Sequence, residues 1–451
     1  MLRDLTLEKP SRAVITFSLP LVLSTVLQQT YNIANSVIVG RMVGSAALAS
    51  VGAAYPITLF YIAVATGASM GSSVVISQLF GAKKLRDMKS AIFTSIVSLV
   101  LLGIALSLAG VLLSRPIMRL LNASPSILDA SSAYLAVYSV GVLPMFIYNT
   151  SNAIFAGLGD AKRPLYFLFM SSVLNIFLCI LAVGRLNLGV IGAAWATTAS
   201  QLIAALLSTL ILIRKIRSIK TEEAASLFEP RLFREICRIS VPSIFQQSCV
   251  ALAHTVVQSL VNTFSDSVIA GYEAAAKIHN FAYMSMNTIG TAFSSFAAQN
   301  YGAGRRDRII EGYKVFSLFC LGVAAFIILI MQLFSPFLVG LFTSGTPDPK
   351  LIEVGVNFLR IISPDYLIIC FIITSGGLLR GLGRTRDFFY VTVLDFAVRV
   401  AMSFFLTKLL QSYTGLFWSW YFGSALDLIV CLLIYRKMRT KGELRDAHVT
   451  A

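Results

Sequence analysis

Gln78-Leu-Phe-Gly-Ala-Lys-Lys-Leu-Arg86 and Gln299-Asn-Tyr-Gly-Ala-Gly-Arg-Arg-Asp-Arg308 decide the architecture of this 451-residue chain. Each closes an apolar segment with a Gln-x-aromatic-Gly-Ala turn and a basic cluster, and the two copies stand 221 residues apart. Other pairs keep nearly the same offset: Pro20 with Pro242 in Ser-x-Pro, Gly157-Leu-Gly159 with Gly381-Leu-Gly383, and residues 131–139 (SSAYLAVYS) with 355–363 (GVNFLRIIS). A repeat this long is half a protein, so the chain reads as two similar bundles fused end to end.

Composition places both bundles in lipid. Hydrophobic residues make up 57% of the chain, charged residues 13%, and the mean hydropathy is +0.78, more apolar surface than a soluble domain can hide. Twelve windows reach the length needed to cross the hydrocarbon: 14–37, 50–75, 91–113, 133–154, 165–183, 190–213, 238–264, 271–299, 313–338, 355–378, 388–408 and 415–436. The fold class is therefore an all-α membrane protein with twelve transmembrane helices. The expected division is 1–213 for the first six, 214–237 as a cytoplasmic linker, and 238–451 for the last six.

Charge sets the orientation. With both termini in the cytoplasm, 28 of the 37 Lys and Arg residues fall on the inner side, the bias that fixes topology in a cell (inner or plasma) membrane. The net charge of +16 is then a basic collar facing anionic lipid, and nucleic acid is not an expected partner. Arg3-Asp4 and Glu8-Lys9 precede a first segment long enough to span, with no small-residue cleavage site after a short core, so no cleavable leader is expected. The six cysteines lie in or beside apolar segments without CxxC spacing, which argues against disulfides and metal ligation. Nor is there a glycine loop with lysine, an HExxH, or a nucleophile–base set; an enzyme, a metal and an ATP-driven cycle are not expected.

Leu27-Gln-Gln-Thr-Tyr-Asn-Ile-Ala-Asn-Ser-Val-Ile-Val-Gly-Arg41 resembles the first helix of the MATE (multidrug and toxic compound extrusion) transporters of bacterial type. So do Gln78–Lys84, Gly157-Leu-Gly-Asp160, Asn175 followed by Gly192-Ala-Ala-Trp-Ala-Thr197, Val257-Gln-Ser-Leu-Val-Asn262, Ala274-Ala-Ala-Lys-Ile278, Gln299–Gly304 and Leu379-Arg-Gly-Leu-Gly383, in order along the chain. The resemblance implies two six-helix lobes related by a pseudo-two-fold axis along the membrane normal, with a cavity between them. It implies secondary active efflux of amphipathic, often cationic small molecules by alternating access, in antiport with H+ or Na+, from a monomer without cofactors. A lipid or lipid-linked-saccharide flippase of the same superfamily is the alternative; a more cationic centre or extra helices would favour it.

The resemblance also carries a departure. Relatives with an ion site in the first lobe typically hold an aspartate at the position of Asn35, and often another at that of Cys179; here only Asn175 and Thr197 match. Neither Asn35 nor Cys179 supplies a carboxylate, so that site is expected to be absent or much weakened.

Intramembrane ionisable residues mark function because burying them is costly. They concentrate in the second half: Glu273, Lys277 and His279 in the eighth span, Asp365 in the tenth, Asp395 and Arg399 in the eleventh, Asp427 in the twelfth, with His254 in the seventh. A rise of about 1.5 Å per residue puts Asp365 and Arg399 near the midplane and Asp395 and Asp427 about 12 Å from the inner face. Asp395 with Arg399, and Glu273 with Lys277, are i, i+4 pairs on one helix face. Two readings fit: structural ion pairs along a polar seam, or a coupling network that rearranges during transport. Relatives are similar at Lys277 and in an acid/Arg pair like Asp395 and Arg399, but often carry an acid where His279 stands. The imidazole of His279 suits a proton relay if it faces water, and a hydrogen-bonded core histidine otherwise. Gln28, Asn32, Asn35, Asn175, Thr197, Gln246, Gln247 and Gln258 are the polar candidates for cavity lining, since amides in lipid need water or a partner helix.

Overall fold

The computed structural model describes residues 4–30, 45–186, 188–221, 223–342 and 348–442, and among them the regular structure is all helical. Asn32 and Asn35 lie outside the described residues. Twelve long helices follow in chain order: α1 Pro10–Thr30, α2 Ser45–Gly81, α3 Leu85–Leu120, α4 Leu128–Gly157, α5 Lys162–Arg185, α6 Gly189–Arg217, α7 Pro230–Val261, α8 Asp266–Gly302, α9 Arg306–Gly340, α10 Pro349–Gly381, α11 Thr385–Leu410 and α12 Thr414–Thr440. Eleven are long and apolar enough to cross a membrane. The exception, α8, is 37 residues long but carries Asp266, Glu273 and Lys277 in its first turns. Several helices overrun their predicted windows by a turn or more; 91–113, for example, becomes Leu85–Leu120. Charged end turns satisfy their backbone within the helix as well as apolar ones do, so helix length is not set by hydrocarbon thickness alone.

The chain packs as two compact units. One comprises Leu23–Gln247 with Met1–Asp4, the other Ser248–Ala451 with Leu5–Val22. Both α1 and α7 are thus shared along their length. In the first unit the reason is visible on α2, where Gly67-Ala-Ser-Met-Gly71 presents a small-residue face. A Cβ on Gly67 would fall 2.6 Å from the Ile244 backbone, and one on Gly71 2.8 Å from the Ile236 carbonyl. Ser240 Oγ completes the contact by donating to the Ala68 carbonyl at 2.8 Å. Apolar burial drives little between helices in lipid, so such close approach and interhelical hydrogen bonding carry the packing.

The repeated signatures anchor the incoming segments. In the second unit Gln299 Oε1 accepts from the Leu5 backbone N–H at 2.9 Å, and Arg305 donates to the Thr6 carbonyl at 2.8 Å. Arg308 reaches Asn300 Oδ1 at 3.0 Å and also the Glu8 carbonyl. In the first unit the start of α3 holds the linker: Ser90 Oγ and Thr94 Oγ1 accept from the backbone of Ser226 and Glu229, each at 3.0 Å. The signature turns end α2 and α8 in the left-handed region, at Lys83 (φ 59°) and Gly304 (φ 73°).

One repeated irregularity prepares the site. Helix α4 breaks at Gly141, between Leu128–Val140 and Val142–Gly157. Helix α10 breaks at Ser363, the serine that answers Ser139 of α4 in the repeat, through a 3₁₀ turn at Ser363–Asp365. Pro364 has no N–H to extend the preceding helix, so the tighter turn forms there and leaves Asp365 at the head of the next segment.

Candidate functional site

The second unit builds its site on the α11–α12 seam. Asp395 and Arg399 stand one turn apart on α11, and Arg399 Nη2 donates to both carboxylate oxygens at 2.8 Å, with Nε 3.3 Å from Oδ1. The two side chains are only 17% and 18% exposed. The guanidinium carbon lies 4.1 Å from the ring centroid of Trp420 on α12, where the π face adds a second attraction. One turn further, Gly423 leaves the space that the Asp395 carboxylate fills. Ser403 and Ser419 continue the seam with a 2.8 Å hydroxyl contact.

Helix α10 brings a second acid to the same region. Asp365 is fully buried; its Oδ2 accepts from Ser424 Oγ at 2.7 Å, while Oδ1 has no partner among the described residues. The adjacent Tyr366 hydroxyl lies 2.9 Å from His279 Nδ1 on α8. The buried His279 ring packs edge-on against Trp420 at 4.7 Å and runs nearly parallel to the rings of Tyr283 and Tyr366, 6.0 and 5.8 Å away. Trp420 therefore touches both the ion pair and the histidine. A third carboxyl, Asp427, stands one turn beyond Gly423, buried, with Oδ1 likewise unpartnered among the described residues. Asp365 and Asp427 both interact electrostatically with Asp395 and Arg399, as does His254 on α7, whose side chain is exposed. Three carboxyl groups thus lie within electrostatic reach of one guanidinium, to which Asp395 alone hydrogen-bonds among the described residues, and leaving several buried acids charged beside a single cation is costly. No group of three or more His, Cys, Asp or Glu able to hold a metal ion occurs among the described residues.

The second expected ion pair does not form. Lys277 is exposed, 5.8 Å over the Phe342 ring, and no ion pair joins it to the half-buried Glu273. A lysine's long stem lets its ammonium leave the apolar face for a wetter position, and i, i+4 spacing alone does not hold it back. Lys277 and Glu273 therefore stand apart from the Asp395–Arg399 cluster, whereas His279 and Asp365 join it.

The polar candidates are scattered. In the first unit Asn175 is buried on α5 and donates to Thr197 Oγ1 at 3.2 Å and Ser200 Oγ at 3.1 Å on α6, with Cys179 buried one turn below. Gln28 is exposed, Gln246 buried, and Gln247 Nε2 reaches Thr66 Oγ1 at 3.5 Å. Gln258 belongs to the second unit and donates to Asn262 Oδ1, in the turn just past the end of α7, at 3.1 Å. Sequence reasoning missed Trp420, Gly423 and Ser424. The signal was available in the repeat: Trp420 and Gly423 follow Gly415 by the same five and eight residues that separate Thr197 and Ser200 from Gly192.

The MatE family profile matches residues 20–181 and 242–405. The chain belongs to the MatE family of membrane transporters, and it is a multi-pass membrane protein. It is similar to the probable multidrug resistance protein YoeA of Bacillus subtilis (strain 168), 29% identical over 80% of this chain and 79% of that one. The probable multidrug resistance protein YpnP of the same organism is 26% identical over 92% and 90% of the two chains. Among solved structures, a crystal structure of MATE in complex with MaL6 superposes with a TM-score of 0.91 at 22% identity, covering 97% of this chain and 98% of that one. That likeness establishes the fold.

Proposed function

We propose that this chain exports amphipathic, cationic small molecules across the plasma membrane, with both termini in the cytoplasm, by antiport with protons or sodium ions. Relatives named for multidrug resistance support the substrate class. The observation that carries the coupling assignment is the contrast in ionisable content: Asp395–Arg399, Asp365 and Asp427 cluster in the second unit, while the described interior around Asn175 in the first is neutral. Coupling then belongs to the second unit. A proton or cation taken up by the carboxyl groups competes with Arg399 for Asp395, and the released guanidinium or acid is what the substrate meets. Lys277, one of the ionisable candidates from the sequence, stands outside that exchange because its ammonium points elsewhere.

The test is transport of a lipophilic cation into or out of proteoliposomes under an imposed pH gradient and, separately, a sodium gradient. Wild type should respond to one of them. Asp395→Ala with Arg399→Met should remain folded and lose that response; an undiminished response in the double variant would remove the pair from coupling.

A further inference from the structure

We infer that Gly423 is a positioning residue: its missing side chain is the seat of the Asp395 carboxylate and fixes where the Asp395–Arg399 pair stands against α12. Only the transport consequence rests on the coupling reading above; the geometry does not depend on it.

A Cβ built on Gly423 would overlap Asp395 Oδ1 and would lie 3.4 Å from both Arg399 Nε and Asp395 Cγ. Gly312 and Gly376 face the packed rings of Phe296 and Phe388, and three further close glycines of this unit meet backbone. A Cβ on Gly381 would lie 2.6 Å from the Ser294 carbonyl oxygen, one on Gly290 2.7 Å from that of Ile373, and one on Gly415 2.5 Å from the Leu406 carbonyl carbon. Those glycines let two helices approach, and a methyl there would push the helices apart. At Gly423 the obstacle is the tip of a rotatable side chain, so the methyl would evict a carboxylate and leave the helices where they are.

The carboxylate has nowhere equivalent to go. Its partner Arg399 is held over Trp420, three residues before Gly423 on the same face of α12. Following a displaced carboxylate would take the guanidinium off the ring. Trp420 and Gly423 together therefore specify the two-oxygen contact, one by attracting the guanidinium and the other by admitting the acid. The first unit treats the equivalent position in the opposite way: Ser200, eight residues past Gly192, puts a hydroxyl 3.1 Å from Asn175 Nδ2. A neutral amide takes a partner at this position, and a carboxylate needs the position vacated.

The pair is faced by Asp365 from α10, Tyr272, His279 and Tyr283 from α8, His254 from α7, and Asp427 from α12. A pH profile reads all of them, so the decisive measurement is a difference between backgrounds. Gly423→Ala is made in the wild-type protein and in the Asp395→Ala/Arg399→Met protein, with Gly415→Ala as the helix-contact control. In the wild-type background Gly423→Ala should preserve expression, lower transport under whichever of the two gradients drives the wild type at least about tenfold, and alter its pH profile. In the double-variant background it should change neither the unfolding temperature nor the residual transport, giving a non-additive cycle. Gly415→Ala should destabilise both backgrounds alike.

An equal loss of stability from Gly423→Ala in the two backgrounds would make it a helix-packing glycine and overturn the inference. So would full transport under the gradient that drives the wild type, with an unchanged pH profile, in the single variant, if the double variant has lost it. Should the double variant keep full transport under that gradient, the coupling reading fails on its own. The seat is then judged by the stability cycle, where a non-additive result upholds it and an additive one ends it.

Discussion

The α5–α6 seam of the first unit and the α11–α12 seam of the second occupy the same place in the repeat, yet one is neutral and the other ionic. Asn175 and Arg399 each stand sixteen residues past the second glycine of the repeated Gly-Leu-Gly. Each reaches across to the neighbouring helix five residues past a close-contact glycine, Asn175 to Thr197 and Arg399 to Trp420. One turn beyond the amide lies Cys179, and one turn beyond the guanidinium lies Ser403. The scaffold fixes which positions meet, and the residue type decides whether the meeting can hold charge. The acid at the α10 break follows the same rule: Asp365 stands two residues past Ser363, where the first unit has Gly141 two residues past Ser139.

The largest effect should come from breaking the ionic seam on one side only. Asp395→Ala leaves Arg399 buried without its carboxylate, which costs about 3–5 kcal/mol for a buried pair broken this way. Low yield and loss of transport are expected, and thermal unfolding in detergent measures the first directly. Asp395→Ala with Arg399→Met should recover most of the stability. If the single variant is as stable as wild type, the pair contributes no more than an exposed one and the contrast between the seams loses its meaning.

The neutral seam should be far more forgiving. Asn175→Ala removes two interhelical hydrogen bonds, worth about 1 kcal/mol each net, and leaves no charge stranded. Cys179→Ala and Asn35→Ala should behave still more mildly. Gradient-driven transport is expected to fall by less than about tenfold in each. Abolished coupling in the Asn175 or Cys179 variant, with folding intact, would show that the first unit also runs the cycle.

Much of this was legible in the residues, and the failures are instructive. Twelve spans follow from hydropathy and repeat, because lipid requires backbone satisfaction within helices and leaves few alternatives. Even α8 was recognisable, through the Gln299 signature at its end, although Glu273 and Lys277 depress its apolar character. Pairing Asp395 with Arg399 from their spacing succeeded, and the same spacing failed for Glu273 and Lys277. Spacing establishes only that two side chains share a face. A ring and a glycine on the opposing helix hold the first pair, while Lys277 finds Phe342 instead. The boundaries of the compact units were likewise illegible, since nothing in α1 or α7 alone says where along a continuous helix the neighbours change. That information resides in α2, in the spacing of Gly67 and Gly71.

The smallest expected effect lies at the start of α10, and it sharpens the same comparison. Asp348 caps that helix by accepting from the Lys350 backbone N–H at 2.9 Å, and it also accepts from the Ser267 hydroxyl. The Ser267 hydrogen bond, followed by the Lys350 N–H, holds this carboxyl below the ordinary aspartate range. The equivalent helix of the first unit, α4, begins at Leu128 after Ile127 with no side-chain cap. A depressed folded-state value means the contribution is fully present above the unfolded value of about 3.9 and is lost as pH falls through the folded one. Asp348→Ala should therefore unfold slightly earlier than wild type at neutral pH, and the gap should close as pH drops below about 4. Thermal unfolding of the two proteins side by side across that range makes the check, because acid effects elsewhere cancel in the difference. A gap that persists unchanged at the acid end would mean that the aspartate acts through something other than its charged cap. The uncapped α4 supplies the control: Ile127→Ala removes no ionisable group and leaves the Asp129–Arg115 ion pair in its first turn in place, so its difference from wild type should not change with pH.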